Sequence, residues 1–486
     1  MELMDIIVFL FFTGGIVLFG CSFFKKQTTS ADFTHASQSL PGWVVGMSIF
    51  STYVSSISYL GNPGSSYASN WNAFVFSLSI PIASWVAARW FVPYYRRQTS
   101  VSAYSILEEK FGVWARLYAA IFYLLTQLAR MGSILFLLAL PMNLLLGWSI
   151  EWVIIITSLA IIIYAMIGGI RAVIWTEAIQ GFVLIGGALL CLGILLFSMP
   201  EGPSQTFRIA SEAVMPDGGS KFSLGSFSLT DFSTSTFWVC MLYGIFTNLQ
   251  NYGIDQNYVQ RYHTAKSEKE AKHAALFGAY LYIPVSAVFF LIGTALFAYY
   301  QVFPTTDVTD MKADYVFPYF IVNQLPIGLK GLLIASVFAA GMSTVATSVT
   351  SASTVILSDF YLRLRPTAKE KEKLLVLKGG SVLVGIIGIV VALAMMNVNG
   401  VLDAWWKLSS VFSGGILGLF LLTFLGKRCR NIHAAIGTIC GFLVIVWISI
   451  PQMVGLPDLH LHTNLSIVFG TIIIFLVGFC CVKIRP

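Results

Sequence analysis

The stretch Phe50-Ser51-Thr52-Tyr53-Val54-Ser55-Ser56-Ile57-Ser58, followed by Gly61-Asn62-Pro63-Gly64, lies in an apolar run but is too polar and too rich in helix breakers to face lipid. A hydrocarbon core about 30 Å thick needs roughly 20 mainly apolar residues per helix, and the run from 41 to 61 meets that length. A helix interrupted here would turn hydroxyls and backbone carbonyls toward a cavity, where irregular backbone is tolerated at membrane depth. The alternative reading is close helix packing through small residues.

The same length criterion, applied outward from this segment, gives spans near 5 to 24, 41 to 61, 72 to 95, 114 to 142, 151 to 168, 173 to 199, 236 to 254, 273 to 300, 329 to 359, 376 to 396, 404 to 426, 432 to 450 and 465 to 483. These thirteen spans predict an all-α integral membrane protein, a single transmembrane domain. Composition agrees: of 486 residues, 57% are apolar and only 10% charged, far from the roughly 25% charged residues of soluble domains. The net charge of +7 falls in short loops rather than on a folded basic surface, so membrane topology accounts for it better than a nucleic-acid partner. The seven cysteines follow no metal-ligand spacing and read as small buried side chains. Leu18-Phe19-Gly20-Cys21 has the look of a lipoprotein cleavage site. However, Glu2 and Asp5 replace a positive n-region and Lys25-Lys26 follow the run, so the first span is expected to be retained.

With the N-terminus placed outside and the C-terminus in the cytoplasm, twenty-two Lys and Arg fall on the cytoplasmic side. Only Arg208, Lys221, Lys312 and Lys330 fall outside, a strong positive-inside bias. The hydrophilic stretches 200 to 235 and 301 to 328 are then external, the first with room for a short helix. Neither is long enough for a catalytic domain, so function is expected within the bundle.

Polar groups inside spans mark candidate sites. Ser343, Thr344, Thr347 and Ser348, at i, i+1, i+4 and i+5 of the ninth span, present oxygens on one side of a helix and suit a small hard cation; small-residue packing explains them equally well when they are taken alone. Arg130 lies too deep in the fourth span to reach an interface, and needs a carboxylate partner or an anionic substrate. Arg89, near a span end, is expected to snorkel. Glu177 reads either as a cation ligand or as an interfacial partner of Arg171. The amide-rich run Thr247-Asn248-Leu249-Gln250-Asn251-Tyr252-Gly253-Ile254-Asp255-Gln256 reads as the lining of a polar cavity, while Lys407 is left unassigned. An intramembrane enzyme is disfavoured, because no histidine lies deep in a span, no HExxH motif occurs and no pair of intramembrane aspartates is evident. A channel or a transport-derived sensor is a further alternative.

Four segments in order resemble the sodium/solute symporter family: Leu40-Pro41-Gly42-Trp43 leading into Phe50-Ser51-Thr52; Gly168-Gly169-Ile170-Arg171-Ala172-Val173-Ile174-Trp175-Thr176-Glu177-Ala178-Ile179-Gln180-Gly181; Asp255-Gln256-Asn257-Tyr258-Val259-Gln260-Arg261; and the small-residue stretch 338 to 348. The resemblance implies a LeuT-type fold, with an extra first helix at 5 to 24, inverted five-helix repeats at 41 to 199 and 236 to 396, trailing helices at 404 to 483, and the second and seventh spans discontinuous. It implies sodium-coupled symport of a small organic solute by alternating access, with Na+ the coupling ion. On matching positions the sodium ligands would be Ser51, Val54, Ala340, Ser343 and Thr344. A second sodium would use Glu177, Thr344 and Thr347, but Ala346 replaces a hydroxyl residue and Glu stands where Asp is usual, so one coupled sodium is expected. The substrate positions would be Thr52, Tyr53, Ser55, Ser58, Ser77, Arg130, Asn248 and Asn251. Ser58 and Ser77 replace the Gln and Glu typical of the galactose and glucose carriers, whereas Arg130-Met131-Gly132 is similar to the sialate-carrier branch. A planar guanidinium suits a carboxylate, so the expected substrate is a carboxylated sugar such as sialate; a neutral sugar, inositol or an amino acid is the alternative.

Overall fold

The apolar runs form helices, and the breaks fall where backbone chemistry demands them. The computed structural model describes residues 2–480 apart from 216–218, 397–408, 410, 413–414, 427–428 and 452–454. The start of the eleventh predicted span with Lys407, and the cations Lys427, Arg428, Lys483 and Arg485, lie outside the described residues.

Helix α1 is Leu3–Cys21. The second predicted span is two helices, α2 (Gly42–Tyr53) and α3 (Ser56–Ala68), bent by 55°, with Val54 and Ser55 extended between them. The third span is α4 (Asn72–Arg97) and the fourth α5 (Val113–Leu146). The fifth and sixth spans run as one 48-residue path, α6 (Ile150–Phe197), which turns at Gly169. There φ is +55° and ψ −160°, a backbone that side-chain-bearing residues rarely adopt, so the glycine pair at 168–169 sets the corner. The seventh span is again two helices, α7 (Phe237–Ile254) and α8 (Gln256–Thr264), separated by the extended Asp255. Then follow α9 (Glu268–Val302), α10 (Leu329–Val355), α11 (Glu370–Met395), α12 (Ile416–Leu425), α13 (Asn431–Ser449) and α14 (Leu465–Cys480).

Each of the thirteen predicted spans thus has helix among the described residues. Among the described residues, eight helices are long and apolar enough to cross a membrane unaided, and the α2–α3 pair makes a ninth. One of the eight, α6, serves two predicted spans, while α12 and α14 are shorter. The two hydrophilic stretches carry the short helices Pro203–Glu212 and Ala313–Gln324.

Packing explains the composition of the spans. Helix α10 is buried at every residue from Leu333 to Val355, so its Ala, Ser and Thr side chains meet other helices rather than lipid. Helix α1 exposes Leu3, Ile7, Leu10, Phe11 and Leu18 on the outside of the bundle. Its one acidic residue is not wasted: Asp5 is fully buried and its Oδ1 accepts from Gly328 N (2.7 Å) and Gly331 N (3.2 Å) at the start of α10. A carboxylate there satisfies donors that have no intrahelical partner and complements the helix dipole.

Candidate functional site

Breaking a helix leaves the carbonyls of its last turn without intrahelical partners. At the end of α2, the Phe50 carbonyl accepts from Val54 N, but those of Ser51 and Thr52 accept from side chains of other helices. Ser343 Oγ, on α10, donates to Ser51 O at 3.1 Å; Arg130, on α5, donates through Nη2 to Thr52 O at 3.2 Å. Two adjacent carbonyls therefore tie the break to both the hydroxyl-bearing helix and the intramembrane arginine.

The oxygen cluster is compact. Ser343 Oγ also lies 3.0 Å from Ala340 O, and Thr344 Oγ1 lies 3.1 Å from the same carbonyl. Ser51, Val54, Ala340, Ser343 and Thr344 are all buried, and Val54 sits at the break itself. Carbonyl and hydroxyl oxygens gathered in this way suit a small hard cation, whose ligands are oxygens.

Glu177 lies elsewhere than at the interface. It is fully buried, and Arg261 Nη2 is 2.8 and 2.7 Å from its two oxygens. Ser48 and Thr347 hydroxyls also donate to the carboxylate. Arg171 instead donates to Ala36 O (3.0 Å) and Ser39 Oγ (2.8 Å), so of the two readings of Glu177 the interfacial pairing with Arg171 is replaced by a buried pair from α6 and α8. Arg261 was expected among the cytoplasmic loop cations; it is instead wholly buried. Its Nε and Nη1 reach Ser48 Oγ (2.7 Å) and Asn257 O (2.5 Å), and Nη2 also reaches Thr347 Oγ1 (2.6 Å). Removing it from the count leaves twenty-one cations against four, so the bias survives. Nothing in the polar run 255–261 announces that a nine-residue helix there is buried on every side.

A cavity of about 790 Å³ opens toward the face carrying segments 200–235 and 301–328. Of the substrate positions, Tyr53, Ser55, Ser58, Arg130 and Asn251 line it. Thr52, Ser77 and Asn248 stand behind the wall. Thr52 is held through its carbonyl; Ser77 Oγ bonds Ser286 Oγ at 2.8 Å. Asn248 accepts from Tyr53 Oη and donates to Ser79 Oγ at 2.9 Å. Gln250 and Asp255, from the run expected to line a polar cavity, do line it, and Gln127, Tyr282, Asp314 and His462 join them without having been singled out. Gln127 lies one helical turn from Arg130, a spacing that could have found it; Tyr282, Asp314 and His462 arrive from segments distant in sequence and carry no local signal. Arg89 is exposed on the outside of the bundle, as snorkelling requires.

Among the described residues no carboxylate lies within 4 Å of the Arg130 guanidinium. One intramembrane arginine is thus matched to a carboxylate, Arg261, and the other, Arg130, is left facing a cavity large enough for a small organic molecule.

Comparison with known proteins places this architecture. The sodium/sialic acid symporter NanT of Aliivibrio fischeri is 30% identical over 96% of this chain and 90% of its own length. The sodium/sialic acid symporter SiaT of Proteus mirabilis is 33% identical over 90% and 87%. A solved structure, of a sodium-coupled sialic acid symporter in a substrate-bound outward-open state, superposes with a TM-score of 0.91 at 29% identity, covering 100% of this chain and 98% of that one. The model of the sodium:solute symporter family matches residues 33–441. The broken helices, the buried oxygen cluster and these likenesses converge: the chain has the LeuT-type fold and belongs to the sodium:solute symporter family, a multi-pass membrane protein that couples solute movement to sodium.

Proposed function

We propose that this symporter carries a carboxylated sugar, of which sialate is the leading example, with the carboxylate received by Arg130. The observation that carries the reading is the Arg130 guanidinium itself: it lines the cavity, donates to the Thr52 carbonyl and, among the described residues, has no carboxylate within 4 Å. A bidentate guanidinium–carboxylate pair in a partly desolvated site is both strong and directional. Tyr53, Ser55, Ser58 and Asn251 supply further polar contacts in the cavity, while Thr52, Ser77 and Asn248 brace its wall. The two bacterial relatives, both sodium/sialic acid symporters, support the same substrate class.

Sodium would sit among Ser51 O, Val54 O, Ala340 O, Ser343 Oγ and Thr344 Oγ1, where the hydroxyls of Ser343 and Thr344 turn their lone pairs to the ion. One sodium per cycle is favoured. The Glu177 carboxylate, which with Thr347 would serve a second ion, already has its charge balanced by Arg261.

The two ligands meet on one short piece of backbone. Sodium on Ser51 O and substrate on the arginine that holds Thr52 O would both bias the hinge between α2 and α3, and their coupling is reciprocal. With the N-terminus outside and the C-terminus cytoplasmic, the cavity opens outward; occupancy of both sites then favours closure and inward release, with repeats at 41 to 199 and 236 to 396 moving against each other. A membrane potential of 100 mV adds about 2.3 kcal/mol per charge moved inward.

Uptake of labelled sialate into proteoliposomes tests the reading. An imposed inward sodium gradient should drive accumulation, an equal potassium gradient should not, and excess neutral hexose should leave uptake unchanged. Sodium-driven uptake of hexose or inositol with none of sialate would overturn the substrate class.

A further inference from the structure

Gln127 borders the cavity one turn before Arg130 on α5, and only 1% of its surface is exposed. One end of its amide is well engaged. Asn257 Nδ2 donates to Oε1 at 3.2 Å and Ser348 Oγ donates to the same oxygen at 2.7 Å, while Tyr123 Oη donates to Asn257 Oδ1 at 3.0 Å and so gives the chain its direction. The other end is idle: Gln127 Nε2 is buried and, among the described residues, has no hydrogen-bond partner.

A buried amide nitrogen without a partner is costly, and each one in a native structure calls for an explanation. Both contacts of the Gln127 amide within the protein are made by its carbonyl, so the nitrogen has no structural duty among the described residues. Because Gln127 borders the cavity, a bound molecule can supply the missing acceptor.

Position says which part of that molecule. Side chains three residues apart on a helix are neighbours, about 5–6 Å apart at Cβ, so a carboxylate received by Arg130 brings the carbon next to it close to Gln127. In sialate that carbon carries a hydroxyl. We propose that Gln127 Nε2 donates to the hydroxyl oxygen on the carbon beside the substrate carboxylate, making Gln127 a specificity residue that favours 2-hydroxy acids over their deoxy counterparts. This rests on the reading that Arg130 receives the substrate carboxylate. The guanidinium serves any carboxylate alike; the amide adds discrimination, because an analogue lacking the hydroxyl leaves a buried polar group unpaired in the complex.

The test measures binding to the purified full-length protein by calorimetry in sodium chloride, with sialate and with 2-deoxysialate, which keeps the carboxylate and the ring and lacks only that hydroxyl. Wild type should bind sialate roughly tenfold more tightly than the deoxy analogue. Gln127→Met and Gln127→Leu should bind the two ligands equally, whatever their absolute affinity. The ratio is the diagnostic quantity, since a merely structural glutamine would weaken both ligands alike. Wild type that binds the two equally, or folded variants that keep the wild-type ratio, would overturn the role of Gln127. Failure of both variants to fold would also overturn it, because the amide would then be structural. Sialate binding undiminished in Arg130→Ala would instead overturn the underlying reading, and the proposal with it.

Discussion

Arg261 and Glu177 meet in the interior of the bundle with no exposed side-chain surface on either, 2.7 Å apart at their closest. Both are also held by Ser48 and Thr347. Removing one member of such a pair leaves a buried, unpaired charge, which costs about 3–5 kcal/mol, whereas replacing both with apolar groups of similar volume is far cheaper. Glu177→Leu or Arg261→Met alone should therefore lower the thermal unfolding temperature sharply, and the double variant should recover much of the loss. Additive losses in the cycle would mean that the two residues do not act as a pair.

At the oxygen cluster, Ser343→Ala and Thr344→Ala each delete one hydroxyl of the proposed sodium site while α10 remains a good helix. The half-saturating sodium concentration should rise by roughly five- to a hundredfold, corresponding to the ~1–3 kcal/mol lost when one partner of a buried polar contact is removed. At saturating sodium, substrate affinity should return to that of wild type. Sodium titrations of substrate binding read both quantities.

The outer half of the broken helix packs closely on α9. A Cβ added at Gly293 would come within 2.1 Å of Pro63 O, and backbone cannot yield as a flexible side chain can. Gly293→Ala should cost about 1–3 kcal/mol by overpacking. Gly193→Ala on α6, where nothing lies within 4 Å, should be neutral or slightly stabilising, because alanine is the better helix former. Thermal unfolding of the two variants side by side checks the contrast.

The hydrophilic stretch after α6 is clasped to the end of α3 by Lys221, which is fully buried; its Nζ donates to Ser66 O, Tyr67 O and Ser69 O at 2.9, 2.6 and 2.7 Å. Burial pushes its ammonium down to about 8 from the usual 10.5. The docked lysine thus releases its proton near pH 8 while the undocked one holds it to about 10.5. Between those values the folded form binds fewer protons, so raising the pH through that window favours docking, and below pH 8 the effect is flat. Relative to Lys221→Met, wild type should gain thermal stability as pH rises from about 8 toward 10. A difference that stays constant or shrinks would contradict the assignment.

The fold was legible because apolar length and loop charge are written locally. The polar interruption at 50 to 64 announced a broken helix, and the α2–α3 bend falls inside it. The oxygen positions of the ninth span were legible for the same reason, although both early readings of that helix apply: its small residues pack on every side and its hydroxyls also meet the Ser51 carbonyl. The partner of Glu177 was not legible. Arg171 is six residues away and Arg261 is eighty-four, and only the turn at Gly169 and the break at Asp255 decide which of them enters the core. The back row of the cavity was hidden likewise: Ser77 and Asn248 look like lining residues in sequence, but their hydrogen bonds to Ser286, Tyr53 and Ser79 turn them into the wall. Lys221 looked like a solvated external cation because nothing near it in sequence marks the carbonyls it caps.

The central claim is that sodium enables Arg130 to receive a carboxylated substrate, and equilibrium binding of sialate to wild type and Arg130→Ala, each in sodium and in potassium, tests it most directly. The account predicts sodium-dependent binding to wild type and a loss of at least a hundredfold in the variant, on the order of the ~3 kcal/mol of a charge-assisted hydrogen bond, with the unfolding temperature little changed. Equal affinity in both proteins, or binding to wild type that is the same in either salt, would contradict it.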